Sequence, residues 1–189
     1  MRANRLHGVI VGLLLLSAAG CGRPAPAPAH TTIQQYMEGE INPAGDFLFK
    51  SVQEVSDAKG VRLKAPVTVD EWNAVRDQLA VLRNAPKVLG DTSIKAAPPG
   101  FKSEHPGIES PPEWIQKAVD SNRKDFDQRA VRLQKAAEVA MQSVEAHDAK
   151  GLERSLDGVD KACESCHLHY FYPNDKRAWQ AAKEDGGVD

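Results

Sequence analysis

Residues 163–167 read Cys-Glu-Ser-Cys-His, and no other stretch limits the fold of this chain so tightly. C-x-x-C-H is the signature of covalent c-type haem attachment. The two sulfurs would add across two vinyl groups, and the His167 imidazole would bind the iron from one face. That chemistry needs Cys163, Cys166 and His167 on one side of the backbone. A helix supplies this, because residues at i, i+3 and i+4 share a face. One pentapeptide thus proposes a cofactor, its linkage and one axial ligand, and asks for a helix to carry them.

Three other readings compete for the same residues. The match could be chance, with two buried inert cysteines. The pair could be a thioredoxin-like redox couple, which expects a βαβ context that the flanking sequence lacks. Cys163 and Cys166 could instead join His167 or His169 on zinc. Structural zinc usually takes four ligands from two paired clusters, and the one remaining cysteine is Cys21. His169 stands two residues from His167, so on a helix it faces away.

The other end of the chain names a compartment. Arg2 and Arg5 precede an apolar run from residue 8 to 16, followed by the small residues Ser17, Ala18, Ala19 and Gly20. Residues 1–20 therefore read as a signal peptide. The apolar run falls short of the about 20 residues that span a bilayer. Small residues ending in Gly20 and followed by Cys21 resemble a bacterial lipobox, with Ala18 where Leu is more usual. That resemblance implies lipidation of Cys21 and cleavage before it. Gly22, where a retention Asp would otherwise sit, favours the outer membrane. Cysteine use agrees with export: one for lipid, two for haem, none for a disulfide.

Charge excludes one class of function. The chain carries 24 basic and 26 acidic residues, a formal −2. Losing Arg2 and Arg5 leaves 22 against 26, or −4. A nucleic-acid binder would show a basic footprint instead.

Residues 23–30 alternate Pro and Ala, and residues 21–30 read as a semi-rigid tether. Residues 31–189 then read as one helical domain. Residues 33–40 form a short helical stretch with Tyr36 and Met37. Asn42-Pro43 looks like an N-cap and N1 pair opening a second segment to about residue 57, closed by Lys59-Gly60. Thr68 and Glu71 form a capping box. Behind it Trp72, Val75, Leu79, Leu82 and Leu89 recur on one helix face. Pro86 should kink or shorten that helix, and Gly90 should stop it. Residues 91–111 are a long Pro-, Gly- and Ser-rich connection, either functional or a mobile crossover. Pro111-Pro112 leads into the longest helix, to about residue 149, with Ile115, Val119, Phe126, Ala130, Leu133, Ala137, Ala140 and Val144 on its apolar face. Gly151 should close it. The last long helix, residues 152–171, carries the haem motif and breaks at Pro173. Residues 175–183 add a short amphipathic tail. Four helical segments, few β-branched runs and one long second-to-third crossover predict an all-α four-helix bundle, with haem near the C-terminal end of the last helix.

A helical bundle with C-x-x-C-H near its C-terminus resembles the class II c-type cytochromes, the cytochrome c′ group. The specific part is C-x-x-C-H-x-x-Tyr, from Cys163 to Tyr170. Met37, Asn42-Pro43-Ala44, Glu71-Trp72 and residues 163–173 look like a proteobacterial branch of that group. Phe171 departs from the pattern, since a basic residue often follows the Tyr. The resemblance implies one haem c per chain, with Cys163 and Cys166 as covalent attachment points and His167 as proximal iron ligand. It places Tyr170 beside the haem as a packing residue. In low-spin members a Met near the start of the first helix takes the distal face, and Met37 stands there. The competing reading makes Met37 an ordinary core residue. His105 and His147 are further ligand candidates that read more simply as surface histidines.

The leading expectation is a lipid-anchored periplasmic single-electron carrier with no catalytic residues. Its partners would be periplasmic redox proteins and, through Cys21, a membrane; a homodimer is left open. The alternative is a five-coordinate gas-binding protein of cytochrome c′ type. A haem peroxidase would need a distal His–Arg pair, which the first helix lacks.

Overall fold

The computed structural model describes residues 32–58 and 60–187. The signal peptide and tether expected from the sequence, with Cys21, fall outside the described residues, as does Lys59. The chain begins with α1 (Ile33–Tyr36), whose N-terminus is capped by Thr32: its hydroxyl oxygen accepts from the Gln35 N–H at 3.2 Å. The helix continues unbroken through a π-helical segment (Met37–Ile41) into α2 (Asn42–Ser51). The expectation of a cap at Asn42 is corrected. Asn42 is itself helical (φ −62°, ψ −47°), and its N–H reaches back five residues to the Met37 carbonyl. Pro43 gives the reason. It lacks an N–H, and its ring presses on the carbonyl four residues earlier. A widened turn just before it absorbs that clash without ending the helix.

The second correction follows at Ser51, where the helix stops short of residue 57. Val52 is extended (φ −136°, ψ 121°). β1 (Gln53–Asp57) and β2 (Gly60–Lys64) pair antiparallel, with Gln53 opposite Lys64 and Asp57 opposite Gly60. Gly60 does not end a helix; it opens β2 at φ 106°, a left-handed conformation that costs glycine little. Most of this hairpin is exposed, with Leu63 packed against the core.

α3 (Val69–Arg83) starts as the sequence predicts. The Thr68 hydroxyl oxygen accepts from the Glu71 N–H, and a Glu71 carboxylate oxygen accepts from the Thr68 N–H at 2.8 Å. Trp72, Val75, Leu79 and Leu82 are all buried along one face. Pro86 does shorten the helix: α3 stops at Arg83 and α4 (Ala85–Leu89) restarts with Pro86 in its first turn. Gly90 follows with ordinary helical dihedrals. Its role is close approach, since a Cβ there would stand 2.5 Å from the Pro86 carbonyl oxygen.

Residues 91–111 form the expected crossover, and they are fastened at both ends. Ile33 N–H donates to the Lys95 carbonyl at 2.7 Å, and Ser110 N–H to the Phe171 carbonyl at 2.6 Å. Ile94, Ala96 and Ser110 are buried. The crossover therefore lies against the start of α1 and the end of the last long helix.

The long helix expected from residue 112 to 149 is two helices, α5 (Pro112–Ser121) and α6 (Arg123–Glu145). They break at Asn122 (φ −137°, ψ 51°). A short amide side chain tolerates such a non-helical backbone. His147 (φ 50°) and Asp148 turn the chain into α7 (Ala149–Tyr170). Gly151 belongs to the first turn of α7 and does not close α6; its N–H donates to Asp148 Oδ1 at 2.9 Å. After Pro173, α8 (Lys176–Glu184) is capped by Asp175, and Trp179 Nε1 donates to the Pro173 carbonyl at 3.0 Å.

The bundle consists of the α1–α2 run, α3, α6 and α7, packed α2 on α3, α3 on α6 and α6 on α7. Tyr36, Leu48, Leu79, Leu82, Val144, Leu152 and Val159 fill its axis. Each such side chain contributes roughly 1.5–3 kcal/mol through burial. The start of α1, the end of α3, the start of α6 and the end of α7 meet at one end of the bundle, which holds the site.

Candidate functional site

Helical geometry places Cys163, Cys166 and His167 on one face of the last turns of α7, as their spacing predicts. All three line a cavity of about 720 Å³ between the helices. Cys166 and His167 also line a second cavity, of about 460 Å³, closed on its far side by the crossover. Both volumes lie within the roughly 300–1,000 Å³ usual for ligand pockets. Ile41, Phe49, Leu82, Leu133 and Val159 give the first cavity apolar walls. Ile33, Phe101, Ile115, Phe126 and Phe171 do the same for the second.

Met37 borders both cavities, together with Glu38 and Asn42. It is the first residue of the π-helical segment that Pro43 induces. The structure thus brings Met37 and His167, far apart in the chain, to the same pair of cavities.

Burial shapes the chemistry of the motif. It pushes the Cys163 thiol up to about 12 and the Cys166 thiol up to about 11. Both cysteines are free thiols, and the surface they retain faces the cavities they line. A redox couple of the thioredoxin type depends on a lowered thiol pKa, so these two are poorly suited to that role. Burial also lowers the His167 pKa, against the opposing charges of Glu164 and Asp160, so its imidazole is neutral. A neutral imidazole has the lone pair that a metal ligand needs. The Phe171 and Tyr172 rings flank it, with centroids at 6.0 and 5.8 Å. Tyr172 in turn donates from its hydroxyl to Glu164 Oε2 at 2.5 Å.

His169 points elsewhere. Its Nδ1 lies 2.8 Å from the Ser165 carbonyl oxygen, and its ring meets Trp179 edge-on at 5.0 Å. Among the described residues no group of three or more His, Cys, Asp or Glu side chains is placed to hold a metal ion. The zinc reading loses its ligand set. The apolar walls, the paired thiols and the neutral histidine suit a large flat apolar group held at its edge.

The remaining candidates lie away from the cavities. His105 is exposed on the crossover. His147 is exposed at the opposite end of the bundle, stacked on Trp72 at 5.1 Å. Met141, the other methionine among the described residues, is buried in the last turns of α6, where its sulfur accepts from Arg83 Nη1 at 3.4 Å. Tyr170 does border the second cavity, packed edge-on against Phe126 at 5.2 Å. It also has a role that its sequence position did not suggest. Its hydroxyl donates to Asp125 Oδ2 at 2.9 Å.

That bond belongs to a network sequence reasoning missed. Arg129 is buried, 7% exposed, on the core face of α6. Its Nε donates to Asp125 Oδ2 at 2.7 Å and its Nη2 to Asp125 Oδ1 at 3.2 Å. Its Nη1 donates to the carbonyl and the hydroxyl of Ser165, one of the two residues between the cysteines. Burial opposes ionisation of Asp125, yet the bonds from Arg129 and Tyr170 and the Arg129 charge hold its carboxyl below the usual range. The one available signal was Arg129 falling on the stripe of Phe126, Ala130 and Leu133. Asp125 and Arg129 otherwise look like an exposed i,i+4 pair.

Residues 77–170 match the family model described as Cytochrome C', a span that holds Cys163, Cys166 and His167 and begins after Met37. Fold and site define a helical-bundle haem protein. The chain belongs to the cytochrome c′-like family of class II c-type cytochromes. That family is one of haem c proteins in electron transfer or gas binding. Comparison with curated proteins found no match, and comparison with solved structures found none either.

Proposed function

We propose that this chain is a periplasmic single-electron carrier with one covalent haem c, anchored to a membrane by lipid on Cys21. The observation that carries the reading is the convergence of Cys163, Cys166, His167 and Met37 on one pair of cavities at the end of α7. Cys163 and Cys166 would each add S–H across a vinyl C=C, sulfur to one carbon and hydrogen to the other, with no oxidant required. His167 would donate its imidazole lone pair to the iron. Met37 would offer its thioether sulfur as a further iron ligand, a soft donor that favours the ferrous state. The bound haem would supply a one-electron couple. The apolar walls around it would limit water, and electron carriage asks for no acid or base catalyst.

The anchor rests on residues 1–21 alone. Among the described residues no helix is long and apolar enough to cross a membrane. The partners on this reading are periplasmic redox proteins. Gas binding is the second reading, favoured by the cavity space on both sides of Met37.

The deciding experiment is acid-acetone extraction of the purified protein followed by a pyridine haemochrome assay. Haem should stay with the polypeptide, and Cys163→Ala combined with Cys166→Ala should release it. Haem that extracts freely from the wild type, or zinc in its place, refutes the proposal.

A further inference from the structure

A charged side chain in a helical core is costly, because the ion leaves water and needs full compensation where it goes. Arg129 is such a group. Its side chain is 8% exposed, against 27% for Asp125. The compensation is complete on both flanks of the guanidinium. Asp125 takes one edge with both carboxylate oxygens, the bidentate geometry that suits a planar fork. The remaining terminal nitrogen reaches across from α6 to α7 and meets the carbonyl and hydroxyl of Ser165. Ser165 is itself 3% exposed and sits inside the C-x-x-C run. Arg129 also borders the larger cavity beside Cys163, Cys166 and His167. Tyr170, three residues beyond His167, completes the network from the other side through Asp125.

We infer that Arg129 is a positioning residue: clamped by Asp125, it fixes the C-x-x-C-H turn through Ser165 and sets the electrostatic potential at the cavity wall. The inference rests on the haem reading proposed above. Its physical basis is simple. In a low-dielectric interior a fixed charge acts strongly on any group nearby that changes charge. Asp125 and Arg129 together are a balanced pair, so removing either half leaves an unbalanced charge of known sign. Oxidised iron carries one more positive charge than reduced iron. A lone half-buried carboxylate favours the oxidised form, and a lone buried guanidinium favours the reduced form.

The test is spectroelectrochemical measurement of the reduction potential of the full-length haem-loaded protein at neutral pH. Arg129→Gln should lower the potential, and Asp125→Asn should raise it. Arg129→Lys keeps the charge but loses the fork, so it should return the potential toward that of the wild type. A merely structural role would move both neutral variants in one direction, or neither, and would give no rescue by lysine. Should Arg129→Gln fail to accumulate, Asp125→Asn decides alone. It keeps the shape of the side chain and an oxygen for Tyr170, and an unchanged or lowered potential overturns the inference. Wild-type protein without covalent haem would refute the proposed function and this inference with it. Wild-type protein with haem, but without shifts of opposite sign, refutes this inference only.

Discussion

Replacing Tyr170 with Phe deletes one oxygen from the network that braces the end of α7. The hydroxyl donates to Asp125 Oδ2 at 2.9 Å, and Tyr170 is 6% exposed, so bulk water is poorly placed to take over the bond. A hydrogen bond to a charged acceptor contributes about 1.5–3 kcal/mol. Two features put this one at the lower end. The same carboxylate oxygen keeps the Arg129 Nε donor at 2.7 Å, so no acceptor is orphaned. The ring keeps its edge-on contact with Phe126 at 5.2 Å, so no cavity opens. The expected loss is about 1.5 kcal/mol, or roughly 3–6 °C in Tm for a chain of this size. Urea unfolding followed by far-ultraviolet circular dichroism measures it, with an unchanged m-value. A loss under about 0.5 kcal/mol would mean that water satisfies Asp125 equally well. A loss above about 4 kcal/mol would mean that the aromatic packing had rearranged. Either result refutes the reasoning.

Three further outcomes are expected. Met37→Ala should convert low-spin ferric protein to high-spin, and should let the reduced protein bind CO at once, both read by absorption spectroscopy; wild-type protein that is high-spin when oxidised and binds CO at once when reduced removes Met37 as a ligand. Burial raises the phenol pKa of Tyr36 to about 12 and raises those of Tyr170 and Tyr172 above their ordinary 10.0. Each folded value exceeds the unfolded one, so this stability is fully present below pH 10 and drains as pH climbs through the folded values. Urea midpoints measured across that alkaline range should fall, and Tyr170→Phe should flatten the fall. Cys21→Ala should move the protein from the membrane fraction to a soluble or uncleaved form in fractionated cells; wild-type protein without lipid by mass spectrometry removes the anchor.

Much of the site was legible along the chain because its rules are local. Cys163, Cys166 and His167 share a face through helix periodicity alone. Thr68 and Glu71 cap α3 across one turn, and Trp72 to Leu82 bury one stripe by the same periodicity. The misread boundaries are those where local signals compete. Pro43 normally marks a helix start, but a π turn lets the helix run through it. The hairpin of β1 and β2 turns few residues inward, so it leaves little alternation to read. Asn122 breaks a helix whose apolar stripe runs on across the gap.

What tertiary structure alone decided lies between helices. The face of α7 is set by the run 163–167 itself. Its apposition to Met37 depends on how α1, α3, α6 and α7 close at one end, and on a crossover fastened against them. Arg129 makes the same point more sharply. Its i,i+4 partner is written in the sequence, but its burial and its grip on Ser165 exist only once α6 and α7 pack together. Hydrogen bonds within a helix are spaced by three or four residues and can be counted along the chain. A cavity, and a charge buried beside it, are products of side chains brought together from distant positions by the packing of the whole bundle.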